Sequence, residues 1–171
     1  MKIIKTHIVC LDDHKTFSED VRKRFSDAAK YIVQITHNRE DLMKALKNGS
    51  EPDIFSIVIM GLSDSKESIE YTESIISEIN EYYPETAVLL ITPQDKTEDI
   101  RNNLKANVDS FIARNANAIL RIHNSVKKLV SEHNLLLYTR RKNLSTIILI
   151  TFIAASLLFL LIARFIIPSY F

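Results

Sequence analysis

The feature that most constrains this chain is a long apolar segment near its C-terminal end. Residues 144–167, LSTIILITFIAASLLFLLIARFII, contain a single charged residue, Arg164. A helix of about 20 apolar residues crosses a hydrocarbon core of about 30 Å, whereas core helices of soluble proteins are usually shorter and keep a polar stripe. The segment therefore predicts one transmembrane helix. The residues expected inside the membrane include Leu144, Ile150, Leu158 and Ile166.

Basic residues directly precede this segment. Arg140, Arg141 and Lys142 lie at its N-terminal flank, and cytoplasmic flanks of membrane spans carry such an excess of Lys and Arg. We therefore expect the N-terminal part of the chain in the cytoplasm, with residues 168–171 as a short exoplasmic tail. The expected divisions are a domain over 1–130, a helical linker over 131–143 and the span over 144–167.

Charge is distributed unevenly along the chain. Every Asp and Glu lies at or before Glu132, and four of the 22 Lys and Arg residues lie beyond residue 139. Residues 1–139 thus hold 18 basic and 21 acidic side chains, a net charge of −3. A domain without basic excess is not expected to bind nucleic acid.

The sequence offers little for catalysis. Its two glycines, Gly49 and Gly61, cannot form a glycine-rich phosphate loop, and its five histidines lack metal-ligand spacing. The single cysteine, Cys10, lies in an apolar strand-like run, where a buried inert thiol is expected. We expect no enzyme activity.

Short β-like runs alternate with helical patterns from residue 6 to residue 130. Runs such as SIVIM and AVLLIT are apolar without alternation, as in strands covered on both faces. This order predicts an α/β fold with a doubly wound parallel sheet. The five predicted strands are Thr6–Leu11, Tyr31–Thr36, Ile54–Met60, Ala87–Thr92 and Ser110–Ala113.

Several residues predict where the helices begin and end. Asn38 can cap the second helix and Gly49 can end it, while Pro84 stops the third and Asn107 suits a left-handed position after the fourth. Neither Gly nor Pro occurs between Pro93 and Pro168, so the fifth helix is expected to continue into the membrane span.

Three stretches resemble the receiver domain of bacterial response regulators. IVCLDDH is similar to the first strand with its acidic pair, and VLLITPQDKTEDIRNNLKANVDSFIAR is similar to the stretch from the fourth strand through the fifth. Their order and spacing extend the resemblance over residues 5 to about 130. It implies a five-stranded sheet of order 2-1-3-4-5, and with it a bacterial inner-membrane location for the anchored chain.

The resemblance also implies the site residues. In that family an aspartate at the end of the third strand accepts a phosphoryl group, with Mg²⁺ held partly by the acidic pair. Here Asp12 and Asp13 match the acidic pair, Thr92 matches the phosphate-binding hydroxyl, and Phe111 matches the aromatic position. Arg114 stands where the family has Lys, and the planar guanidinium group of arginine is not equivalent to the ammonium group of lysine.

The chain departs from the family at the phosphoacceptor. Matching IMGLSDS to the acceptor loop places Ile59 at the aspartate position, and sliding the match offers Val58, Met60 or Gly61. None of these accepts phosphate or binds Mg²⁺, and the nearest acid is Asp64. The resemblance therefore implies a degenerate receiver without a firmly bound cofactor, since two carboxylates alone hold Mg²⁺ weakly.

The remaining site residues have alternative roles. Asp12 and Asp13 either cap the first helix, where carboxylates are favoured, or retain weak cation binding. Thr92 either satisfies backbone groups or binds a ligand. Arg114 is hypothesised to pair with Asp12 or Asp13, replacing the cation and fixing one conformation.

The leading hypothesis is a membrane-tethered, phosphorylation-independent signalling adaptor that binds a protein partner. There are two alternatives: a phosphoacceptor regulator that uses Asp64, and a structural subunit of a membrane assembly. The chain could also form a homodimer through helix five or the anchor. Receivers commonly bind partners through helix four, strand five and helix five. That implies a partner face at Ile100, Leu104, Phe111, Ile119 and Ile122.

Overall fold

The computed structural model describes residues 5–12, 14–49, 51, 53–63 and 65–166. The chain divides into two compact units, Met1–Ser131 and Glu132–Phe171. The tail predicted at residues 168–171 lies outside the described residues.

The first unit is built on five parallel strands, and their predicted positions are confirmed to within one residue. The strands are β1 (Lys5–Leu11), β2 (Tyr31–Thr36), β3 (Ile54–Gly61), β4 (Ala87–Thr92) and β5 (Ser110–Ala113). They lie in the order β2-β1-β3-β4-β5. The predicted fold class and strand order are therefore confirmed.

Helices cover both faces of this sheet. They are α1 (Lys15–Arg24), α2 (Arg39–Asn48), α3 (Lys66–Tyr82), α4 (Thr97–Asn103) and α5 (Ala118–Ile166), with a short 3₁₀ turn at Gln94–Lys96. One core packs α1 and the first turns of α5 against side chains such as Ile57 and Leu89. The other packs α2, α3 and α4 against side chains such as Val58 and Leu90. Consecutive residues of β3 and β4 thus enter opposite cores, which is why these strands are apolar throughout.

Most helix ends follow the sequence signals. The Asn38 side chain accepts a hydrogen bond of 2.8 Å from the Asp41 backbone N–H, and Gly49 ends α2 as expected. The prediction of a left-handed residue at Asn107 is wrong, because no described residue has a positive φ angle. Instead α4 ends at Leu104 in an extended conformation, which lets the chain continue directly towards β5.

The second unit holds the apolar part of α5. Within it, Ser145–Ile162 forms a helix long and apolar enough to cross a membrane. Its large side chains are exposed, Ile150 and Leu158 among them, rather than packed in a core. That exposure separates the segment from a buried helix of a soluble protein.

A close approach explains Gly49. A Cβ atom placed there would overlap with Nδ1 of the buried His7, although the Gly49 φ of −89° suits any residue. We expect Gly49→Ala to lower the free energy of unfolding by about 2 kcal/mol through overpacking. Urea unfolding measures this, and His7→Ala in the same chain should remove most of the cost. Equal costs with and without the His7 ring would contradict the steric explanation.

His7 also makes stability depend on pH. Burial lowers the pKa of His7 from its ordinary 6.5, with the Gln34 side chain opposing part of that shift. The unfolded state therefore binds more protons, so the contribution of His7 is fully present above about pH 6.5 and is lost as the pH falls through the folded-state value. Burial lowers the pKa of His123 as well, with Arg24 and Lys127 adding to it. Melting temperatures measured between pH 5 and pH 7.5 should fall less steeply towards acid for His7→Leu than for the unmodified chain.

Candidate functional site

Asp12 follows β1 directly and is the centre of a polar cluster at the C-terminal edge of the sheet. Its side chain is 1% exposed. The Oδ1 atom accepts a 2.8 Å hydrogen bond from the His14 backbone N–H and lies 3.0 Å from His14 Nδ1. Asp12 thus meets the start of α1, a position where a carboxylate is favoured.

The other oxygen of Asp12 binds Arg114, which follows β5. Arg114 Nη2 donates to Asp12 Oδ2 over 2.6 Å, and the guanidinium carbon lies 4.9 Å from the centre of the Phe17 ring. The hypothesised pair between Arg114 and Asp12 is therefore present. It joins residues 102 positions apart and ties the ends of β1 and β5 together.

Gly61 is the position of β3 that faces this ion pair. The strands pair Leu11 with Met60, so the end of β3 lies beside Asp12. A Cβ atom built on Gly61 lies 2.5 Å from Asp12 Oδ2 and 2.8 Å from Arg114 Nη2. The space that a side chain at the end of β3 would occupy is therefore filled by the ion pair.

Ile59, which the match to the acceptor loop placed at the aspartate position, does not lie in the polar cluster. Its side chain is fully buried in the core with Ile57 and Leu89, so it does not reach the polar cluster. The residue of β3 that faces the polar cluster is Gly61, two residues further along, which the sliding match offered as an alternative. The run IFSIVIMG is apolar at every position because both faces of β3 are covered, so no alternation marks the register in the sequence.

Thr92 ends β4 and is fully buried. Its hydroxyl lies 2.8 Å from that of Thr97, which donates to the Pro93 carbonyl. The hydrogen bond between the two hydroxyls joins the end of β4 to α4, as in the structural alternative for Thr92.

The residues expected to contact a partner are mostly buried. Ile100 and Ile122 are core residues, and Leu104, Phe111 and Ile119 are partly buried against the two cores. The side chain of Arg101 covers Phe111, with its guanidinium carbon 5.4 Å from the ring centre. The accessible part of this face is instead a groove of about 310 Å³ with charged walls. Its lining includes Asp95, Glu98, Asp99, Arg101 and Arg121.

The described residues do not fit a Mg²⁺ ion. Both oxygens of Asp12 already have partners, one of them a guanidinium, and Gly61 offers no side-chain oxygen. Within the described part of the chain no group of three or more His, Cys, Asp and Glu side chains is arranged to hold a metal. Asp13 and Asp64, the other acids considered, lie outside the described residues. A hard cation prefers several oxygen ligands, which this cluster does not supply.

Cys10 lies beneath the site on β1 and is fully buried. Burial raises the pKa of its thiol to about 12. The thiol therefore stays protonated at neutral pH and is not a nucleophile.

Three residues at this edge of the sheet were not predicted from the sequence. His14 contacts Asp12, Phe17 contacts Arg114, and the Thr97 hydroxyl shares a hydrogen bond with that of Thr92. The sequence does mark Phe17 as an inward-facing residue, since it lies on the apolar face of α1. His14 and Thr97 carry no such signal because hydrogen bonds between turns depend on local geometry.

Comparison with solved structures shows response regulator receiver domains as neighbours. A receiver domain protein from Clostridium thermocellum has a TM-score of 0.60 at 15% identity, covering 77% of this chain and 98% of its own. A response regulator from Thermotoga maritima has 0.59 at 20%, covering 74% and 98%. The regulator TrrA from Thermotoga maritima, in complex with Mg²⁺–BeF, has 0.54 at 20%, covering 73% and 98%. These likenesses establish the fold.

Two further comparisons found nothing. No protein-family model matches the chain, and no curated protein matches it.

Proposed function

We propose that this chain is a membrane-anchored signalling adaptor whose receiver-like domain binds a protein partner without being phosphorylated. The single observation that carries the proposal is the Asp12–Arg114 ion pair beneath Gly61. In the receivers that the sequence resembles, an aspartate and a cation occupy this edge. Here we match Gly61 to the position of that aspartate, and a guanidinium stands against the carboxylate of Asp12.

The ion pair acts as a permanent substitute for the cation. Arg114 neutralises the buried carboxylate of Asp12, and its planar group is held against Phe17. A carboxylate that is already paired with a guanidinium gains little from Mg²⁺, and Gly61 offers no oxygen nucleophile at the end of β3. The domain therefore keeps one conformation, and we propose no enzymatic activity for it.

The membrane anchor supports a tethering role. Ser145–Ile162 is long and apolar enough to span a bilayer, and Arg140, Arg141 and Lys142 precede it. We place the domain at the cytoplasmic face of a bacterial inner membrane. Confinement there raises the effective concentration of the domain near a membrane-bound partner without any new contact.

The groove beside α4 and β5 is the proposed partner surface. Its walls carry Asp95, Glu98 and Asp99 as well as Arg101 and Arg121, so it presents both signs of charge. We expect a mainly polar contact with the partner, because Ile100 and Ile122 are buried and Arg101 covers the ring of Phe111.

Co-purification of the full chain in mild detergent tests this proposal. Arg101→Glu combined with Arg121→Glu should release the partner, while Lys44→Glu, which changes an exposed residue of α2, should not. A stoichiometric complex that survives the double change would favour the alternative of a structural subunit held through the anchor. Leu135, Leu136 and Tyr138 are the observation that favours this alternative, since they are exposed ahead of the span.

A further inference from the structure

The free edge of the sheet at β2 suggests a second binding surface. Within the described part of the chain β2 pairs only with β1, so its other side exposes backbone N–H and C=O groups. The strand YIVQIT holds no charge, no Pro and no Gly, and Ile32 on it is 38% exposed. Edge strands are usually protected by charges, Pro or bulges, and this one has no charge or Pro.

A groove lies along this edge. It has a volume of about 420 Å³ and separates the C-terminal end of β2 from the exposed side of α1. Ile35 forms its apolar part, and the lining is completed by Lys15, Ser18, Glu19, Arg22 and His37. None of these residues belongs to the Asp12 cluster.

The groove is locally basic in a domain that is acidic overall. Lys15 and Arg22 are two fixed positive charges, and Glu19 is the one acid in the lining. No described carboxylate lies within ion-pair distance of Lys15 or Arg22, although α1 and α2 form such pairs elsewhere, at Lys23 and Lys44. These cations are therefore available to an incoming carboxylate.

We infer that β2 and this groove bind an extended, acidic segment of a protein partner as an added strand. The backbone of the segment would pair with the free edge, and its alternate side chains on the α1 side would enter the groove. A glutamate or aspartate there meets Lys15 and Arg22, while a neighbouring apolar side chain contacts Ile35. A second copy of this chain is disfavoured, since its own β2 has no acid and brings a groove with the same excess of positive charge.

The test uses the full chain in lipid nanodiscs and a phage-displayed library of random heptapeptides. We expect enrichment of peptides that alternate β-branched or aromatic residues with Asp or Glu. Lys15→Glu combined with Arg22→Glu should weaken binding of the best peptide at least about tenfold, which corresponds to about 1.4 kcal/mol. The control, Lys23→Glu combined with Lys44→Glu, makes the same charge change at side chains that are 78% and 72% exposed and should change the Kd less than about twofold.

Two further measurements use the unmodified chain, so their results do not depend on whether the charge variants fold. A twin peptide with Lys in place of its acids should bind the unmodified chain at least about tenfold more weakly. Hydrogen exchange should slow at β2 amides when the acidic peptide binds. No enrichment, enrichment without acids, or protection confined to α1 would overturn the inference. Protection of β2 that rises with protein concentration alone would assign the edge to a second copy and overturn it as well.

Discussion

Replacing Arg114 by Ala should lower the free energy of unfolding by about 3 kcal/mol. Asp12 is buried, and the change leaves Oδ2 without its ionic partner while Oδ1 keeps its bonds to His14. Removing one member of a buried pair costs about 3–5 kcal/mol because an uncompensated charge stays buried. Urea unfolding of the full chain in detergent, followed by circular dichroism, measures the effect.

Arg39 supplies a matched control for this change. It pairs with Glu78 at the same distance of 2.6 Å, but the two side chains are 48% and 26% exposed. Arg39→Ala should therefore cost less than about 1 kcal/mol. A second variant, Asp12→Asn with Arg114→Met, removes both charges and should recover part of the loss. Equal effects of Arg114→Ala and Arg39→Ala would show that the central pair has no special role.

Gly61→Ala should also be strongly destabilising, by about 3 kcal/mol. The new methyl group would lie 2.5 Å from Asp12 Oδ2 and 2.8 Å from Arg114 Nη2. Overpacking alone costs about 1–3 kcal/mol, and here the neighbours forced apart are two paired charges. The same unfolding measurement gives the size of the effect.

A mutant cycle separates this clash from a backbone effect. No described residue has a positive φ angle, so glycine is not needed at position 61 for its conformational freedom. In a background that carries both Asp12→Ala and Arg114→Ala, the two clashing side chains are gone, and Gly61→Ala should then cost less than about 1 kcal/mol. A cost that is the same in both backgrounds would contradict the steric role of the ion pair.

The fold was predictable because its signals are local and mutually consistent. Apolar runs such as AVLLIT, bounded by Pro and polar turns, define β4 and its neighbours almost to the residue. Asn38 and Gly49 likewise act within one or two turns of chain. The prediction of a left-handed residue at Asn107 was wrong because the chain leaves α4 in an extended conformation at Leu104.

The site was only partly predictable, since it depends on register and on distant contacts. Asp12 and Arg114 follow strand ends that the sequence marks clearly, and their pairing follows from charge. The sequence did not decide between Ile59 and Gly61 as the residue of β3 that faces the site, because β3 is apolar on both faces. Ile100 and Ile122 were expected on a partner surface, but apolar residues of a helix usually face the core, and these do.

The proposal that the domain is not phosphorylated is tested most directly by measuring the intact mass of the full chain after incubation with Mg²⁺ and acetyl phosphate. The protein is kept in detergent, and a receiver that is known to accept phosphate is treated alongside as a control. We predict an unchanged mass, because Gly61 offers no nucleophile and Arg114 occupies the carboxylate of Asp12. An added phosphoryl group that hydroxylamine removes, and that Asp64→Asn abolishes, would mean an acyl phosphate on Asp64 and would contradict a phosphorylation-independent adaptor.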